Sequence, residues 1–238
     1  MQSMERSRGL LAGAGTINLR DAVSSGDVAN VRQYLAQGVD ANAIYRVVRD
    51  DPFIVTASYL GNSQVLQLLL DNRTQVDDPD AGGDTGLLHA SRDGNTACVK
   101  ILLAHGASVH GSVWTKTGLT PLAVGCLNGH AECVQLLVDA GAPVNSPSIE
   151  GTYPLHIAAM RGHADVIKIL LAAGADRTVT FDVSTDRALG LWQRPVTPLQ
   201  VAELTKHAEC VQLLRGTDGQ KGGSESSCLS SRGGKRKR

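Results

Sequence analysis

The chain has 238 residues, of which 23 are basic and 23 acidic, so its net charge is zero, and 42% of it is hydrophobic. That content suffices for a continuous core in a water-soluble chain, and no apolar run approaches the length of a membrane span. Aromatics make up 3%, so the core has to be built from Leu, Val, Ile and Ala, which suits thin helical layers.

The charge is unevenly placed. Beyond Gly216 stand six basic residues (Lys221, Arg232, Lys235, Arg236, Lys237, Arg238) and two acidic ones (Asp218, Glu225), a surplus of four positive charges. The remainder is therefore four charges negative, which speaks against nucleic-acid binding through phosphate contacts by that part of the chain. The five cysteines show no pairing pattern and no metal-ligand spacing, and an odd count points to a reducing, intracellular compartment. Cytoplasmic or nuclear placement is the expectation. The first fifteen residues hold too short an apolar run for a signal peptide.

In chain order, residues 1–16 read as a flexible leader. A unit of two short helices separated by a glycine then recurs about six times, at roughly 17–42, 52–77, 85–110, 120–145, 153–178 and 197–215. The inter-helix glycines are Gly26, Gly61, Gly94, Gly129 and Gly162, and Lys206 takes that place in the sixth unit. In the first unit Asp21 and Arg32 replace apolar residues, as suits a terminal layer with one face in water. In the second, Arg73 stands where other copies end the second helix with glycine. Either it is strained in the left-handed region, or the loop is locally different. Cys98, Cys133 and Cys210 share one slot of three units, a packing position. Arg215 replaces the last core leucine, and residues 216–238 form a Gly/Ser-rich basic tail expected to be disordered.

The fifth unit is the cleanest. Tyr153-Pro-Leu-His-Ile-Ala-Ala begins the first helix, Gly162-His follows, and Val166-Ile-Lys-Ile-Leu-Leu leads to Gly174-Ala-Asp. Two such helices cannot bury their own faces, so the unit must stack on copies of itself. This pattern resembles the ankyrin repeat over about residues 17–215. The resemblance implies an all-α solenoid of about six stacked helix-turn-helix repeats with short β-hairpin fingers. It also implies a non-catalytic, monomeric module that binds a protein partner, with no cofactor and no metal.

Three insertions, at 44–51, 111–119 and 179–196, lengthen the fingers that the resemblance places along the concave face. They hold Tyr45, Trp114, Phe181 and Trp192 with Lys116 and Arg194 beside them, residue types enriched at binding hot spots. Phe181 and Trp192 could equally fold the long insertion back onto the stack. A second strip consists of the residues before each inter-helix glycine: Tyr59 and Leu60, Arg92, Leu127, Met160 and Arg161, and Leu204. The same strip could instead be half-buried packing between first helices. His156 resembles the family's structural turn histidine. Asn145 resembles the hairpin asparagine modified by an oxygen-sensing hydroxylase. Lys235, Arg236, Lys237 and Arg238 form a cluster of nuclear-import type, which sets a nuclear regulator binding a transcription or chromatin protein beside the general adaptor reading.

Overall fold

The computed structural model describes residues 19–42, 51–111, 118–148, 151–182 and 195–216. Within them run α1 (residues 19–25), α2 (Val28–Ala36), α3 (Phe53–Tyr59), α4 (Ser63–Asp71), α5 (Gly86–Asp93) and α6 (Thr96–Ala104). They are followed by α7 (Pro121–Asn128), α8 (Ala131–Asp139), α9 (Pro154–Arg161), α10 (Ala164–Ala172), α11 (Pro198–Leu204) and α12 (Ala208–Arg215). The first helices of successive units, α3, α5, α7, α9 and α11, pack in a row, and the second helices α2, α4, α6, α8, α10 and α12 pack in another. The result is a two-layer helical solenoid.

The local chemistry explains these helices. Thr85, Thr120 and Thr197 cap α5, α7 and α11, each accepting from the N–H three residues on, and α7, α9 and α11 carry proline in the first turn. A threonine oxygen satisfies one orphan amide there, and proline has no amide to lose. Each unit then contributes small and branched side chains to one core that runs from Leu19 to Leu214. Cys98, Cys133 and Cys210 are buried in it, and burial pushes the Cys98 thiol up to about 11. Asp21 and Arg32 of the first unit are exposed.

The turn between the two helices locks each unit to the next. Gly94, Gly129 and Gly162 have φ of 73°, 77° and 78°. A Cβ at these positions would lie 2.6, 2.5 and 2.6 Å from Nδ1 of His130, His163 and His207 in the following unit. Those imidazoles donate through Nε2 to the backbone carbonyls of Arg92, Leu127 and Met160 at 3.1, 3.2 and 3.2 Å. Asn62 and Asn95 do the same for Val23 and for Ser58 and Tyr59. A carbonyl that the helix end would orphan is thus satisfied from the neighbouring layer. Lys206, with φ 62°, occupies the glycine slot of the last unit, where no further layer follows among the described residues. Arg73 also has φ 62°. It therefore keeps the left-handed turn at a cost in backbone strain, which decides between the two alternatives at that position.

The fingers differ in form. Among the described residues a strand pair occurs only at the long insertion, where β1 (Phe181–Asp182) meets β2 (Pro195–Val196) antiparallel, Phe181 opposite Val196. Two further fingers are tight turns, one closed by Asp80 N–H to the Asp84 carbonyl and Gly83 N–H to the Asp80 carbonyl, both at 3.0 Å, the other by Ser148 N–H to the Thr152 carbonyl and Gly151 N–H to the Ser148 carbonyl, both at 2.9 Å.

Candidate functional site

A cavity of about 460 Å³ opens on the first-helix layer at its N-terminal end. Arg20 and Ser24 of α1 form one wall, and His89 of α5 stands on the other. Val55, Thr56, Tyr59 and Leu60 lie between them, with Asp51 at the rim. Tyr59 is 56% exposed and Leu60 44%. Both occupy the end of α3, where the helix gives way to the turn at Gly61, so neither can reach the core.

His89 connects this cavity to the finger between the second and third units. Its ring meets Tyr59 edge-on, with centroids 6.0 Å apart. Its Nε2 donates to Asp80 Oδ2 at 2.8 Å, while Arg92 Nη1 approaches Nδ1 at 3.4 Å and Arg92 Nη2 donates to Asp84 Oδ2 at 2.8 Å. Asp80 Oδ1 accepts from the N–H groups of Gly82 and Asp84. Burial would raise the Asp80 carboxyl, but the bonds from His89, Asp84 and Gly82 outweigh it and hold the group below its ordinary value. Asp78, partly buried, is raised by that burial. Asp80, Asp84 and His89 lie close enough together to suggest a cation site. The arrangement does not fit one, because Arg92 directs itself at Nδ1 and so assigns the His89 proton to Nε2, where an ion would have to bind. The cluster is a hydrogen-bonded brace that fixes the finger against the cavity wall.

The remaining candidate residues fall into distinct environments. Arg92 belongs to the brace, and its carbonyl accepts from Asn128 and His130, so it is a post between layers more than a free contact. Leu127 and Met160 are half-buried and pack against the core. The apolar ridge expected along the strip is thereby reduced to Tyr59 and Leu60 at one end and Leu204, 44% exposed, at the other. Arg161 is exposed in the last turn of α9. Phe181 is corrected: at 7% exposure it is no surface contact, because the strand pair folds it onto His156, with centroids 4.7 Å apart. His156 is fully buried and donates through Nε2 to the Val196 carbonyl at 2.9 Å, tying repeat five to the finger. Asn145 makes a similar tie, accepting from Asp176 N–H and donating to the Gly174 carbonyl. Tyr45, Trp114, Lys116, Trp192, Arg194 and the cluster Lys235 to Arg238 lie outside the described residues.

Sequence reasoning missed His89 and Asp80 as parts of the site, whereas Ser24 belongs to the strip of residues before the inter-helix glycines. The available signal was the run Asp77-Asp-Pro-Asp-Ala-Gly-Gly-Asp84 before α5, which holds four aspartates in eight residues.

A family model described as ankyrin repeats (3 copies) matches residues 19–112, 53–148, 109–181 and 143–224. The chain belongs to the ankyrin-repeat family. The crystal structure of the human ASB11 ankyrin repeat domain superposes with a TM-score of 0.69 at 25% identity, covering 83% of this chain and 81% of that one. Mouse protein phosphatase 1 regulatory subunit 27 is 41% identical over 88 residues, which is 37% of this chain and 56% of the mouse protein. The rice probable E3 ubiquitin-protein ligase XBOS32 is 30% identical over 166 residues, 70% of this chain and 30% of that one. Arabidopsis serine/threonine-protein kinase 12 is 33% identical over 93 residues, 39% of this chain and 20% of the kinase. The ankyrin chain thus spans between a fifth and just over half of these curated relatives. Ankyrin repeats mark it as a protein-interaction module, and the first helices are the layer that the family resemblance places on the concave side. Among the described residues no helix is long and apolar enough to cross a membrane.

Proposed function

We propose that residues 17–215 act as one non-catalytic adaptor domain, and that it grips a protein partner on its concave face and finger loops. The observation that carries this reading is the exposed pair Tyr59 and Leu60 over the cavity at repeats one to three. An aromatic and an aliphatic side chain held in water on a rigid layer cost free energy alone and regain it when a partner covers them. The rigid brace at Asp80, His89 and Arg92 lowers the entropy that a partner must overcome on docking. Trp114, Trp192, Tyr45, Lys116 and Arg194 on the inserted fingers would extend the same surface. Similarity to a phosphatase regulatory subunit supports an adaptor role.

The test is a photo-crosslinking amino acid placed at position 60, compared with the same group at position 172 on the second-helix layer. Partner crosslinks at position 60 and none at 172 support the reading, and the reverse pattern rejects it. The nuclear alternative, a regulator of a transcription or chromatin protein, rests on Lys235 to Arg238. Replacing those four residues should then lower the nuclear fraction, and an unchanged fraction removes that reading. Hydroxylation at Asn145 would require its two inter-repeat hydrogen bonds to open first, and mass spectrometry of the intact chain at high and low oxygen tests it.

A further inference from the structure

The cavity over α1, α3 and α5 has a lining without net formal charge. Arg20 and Asp51 carry opposite charges, and the ring of His89 is held by Asp80 through Nε2. Ser24 and Thr56 add hydroxyls, and Val55, Tyr59 and Leu60 supply the apolar surface. A charged segment laid in such a groove gives up hydration and meets no net counter-charge. An uncharged apolar segment gives up little, and it takes the exposed Tyr59 and Leu60 out of water.

The chain carries a segment of that kind beside the cavity. Gly9-Leu-Leu-Ala-Gly-Ala-Gly-Thr-Ile-Asn18 lies outside the described residues, and it is the longest run without a charged side chain there. It leads directly into α1, which forms one wall of the cavity. Leu19 is fully buried, so the point at which the segment joins the stack is fixed. Arg20 stands at this end of α1. The first helices run in the same direction from layer to layer, so Tyr59 and Leu60, at the far end of the seven-residue α3, lie about 10 Å further along the groove. Leu11 precedes Leu19 by eight positions, a reach of up to about 26 Å. The segment is therefore long enough to turn back along the groove and set Leu10 and Leu11 on the exposed pair. Joined to the groove by so few residues, it competes for it at an effective concentration of about a millimolar.

We propose that residues 9–18 fold back into this groove, with Leu10 and Leu11 over Tyr59 and Leu60, as an internal cover that a partner must displace. The contact itself stands apart from the adaptor reading above. Only its consequence, competition with a partner, rests on that reading.

The test uses the purified full chain with a photo-crosslinking amino acid at position 60, and crosslinked peptides are mapped by mass spectrometry. Crosslinks from position 60 to residues 9–15 within one chain, reduced about tenfold by Leu10→Ser/Leu11→Ser, are the expected result. In the reciprocal chain, a crosslinker at position 11 should mark residues 59–60 and His89, and one at position 3 should not. A fluorescein-labelled peptide of residues 9–18, read by anisotropy, should bind the full-length Leu10→Ser/Leu11→Ser variant about tenfold more tightly than the intact chain, as expected where the cover is in place about nine-tenths of the time. Adding Tyr59→Ala/Leu60→Ala to that variant should abolish the binding. Absence of the crosslink to residues 9–15, or a crosslink whose yield the serine substitutions leave unchanged, overturns the cover. Equal peptide binding by the variant and the intact chain overturns it as well. A crosslinked product of twice the chain's mass makes a second copy the occupant instead. Partner crosslinks at position 60 test the adaptor reading separately, so an uncovered groove leaves that reading standing, and a covered groove that no partner enters removes it.

Discussion

Gly129→Ala is expected to be among the most damaging single-methyl changes the stack can suffer, and the geometry says by how much. Two costs combine. Alanine at φ 77° loses about 1 kcal/mol in the left-handed region relative to glycine. The new Cβ would also fall 2.5 Å from His163 Nδ1 and 2.6 Å from its Cε1. The ring must then leave, and its bond to the Leu127 carbonyl at 3.2 Å goes with it. Losing that bond and leaving a carbonyl unpaired costs about 2 kcal/mol more. Gly141→Ala is the control, since Gly141 has φ 86° but nothing within 4 Å of the place a Cβ would take. It should cost under about 1 kcal/mol, part of the strain being offset by a less flexible unfolded chain. Urea denaturation followed by far-ultraviolet circular dichroism measures both. In a His163→Ala background the obstructing ring is gone, and Gly129→Ala should then cost only about 1 kcal/mol, a coupling of about 2 kcal/mol. Equal costs at 129 and 141, or no coupling to His163, would refute the layer-lock reasoning.

Three further outcomes follow from particular residues. Arg73→Gly and Lys206→Gly should each stabilise by up to about 1 kcal/mol in the same assay, because both residues hold φ 62° at no gain in packing that the turn requires; destabilisation by either would show that the side chain contributes more than its strain. Burial lowers His156 to about 4 from 6.5, although its bond to the Val196 carbonyl opposes the shift. Its neutral form therefore stabilises the fold fully above pH 6.5, and that contribution is lost as pH falls from there toward 4, up to about 3 kcal/mol in all. Thermal midpoints at pH 7.5 and 4.5 should drop less in His156→Gln than in the wild type. Tyr153 supplies no side-chain cap to α9. Tyr153→Thr should accordingly be more stable than Tyr153→Ala by about 1 kcal/mol, because only threonine offers an oxygen to the His156 backbone N–H; equal stabilities would contradict this.

The fold is legible in the sequence because its rules are local. The spacing of Gly94, Gly129 and Gly162, the Thr-Pro pairs at 120–121 and 197–198, and the apolar slots all belong to single helices and their ends. What a side chain does across layers is harder to read. That Gly129 must make room for His163 depends on two residues 34 apart in number and on the rise of the stack. The Asp80, His89 and Arg92 brace is hidden for a similar reason: the aspartates are plain in the sequence, but which of them turns toward α5 depends on a tight turn closed at Asp84. In the sequence Phe181 reads equally as a partner contact, because inserted aromatics often bind partners, and as an anchor that folds the insertion back. It is buried because the pairing of 181 with 196 brings the ring onto His156, a contact spanning an insertion whose pairing partner cannot be found by periodicity.

The central claim is that Tyr59 and Leu60 form the contact by which this ankyrin stack holds a protein. Affinity capture from a matched cell lysate, quantified by mass spectrometry, compares the intact chain with a Tyr59→Ala/Leu60→Ala variant shown to have the same thermal midpoint. The account predicts that specific partners drop out of the variant's list while non-specific background stays constant. An unchanged list would contradict it, and would place the binding surface on the finger insertions or on the second-helix layer.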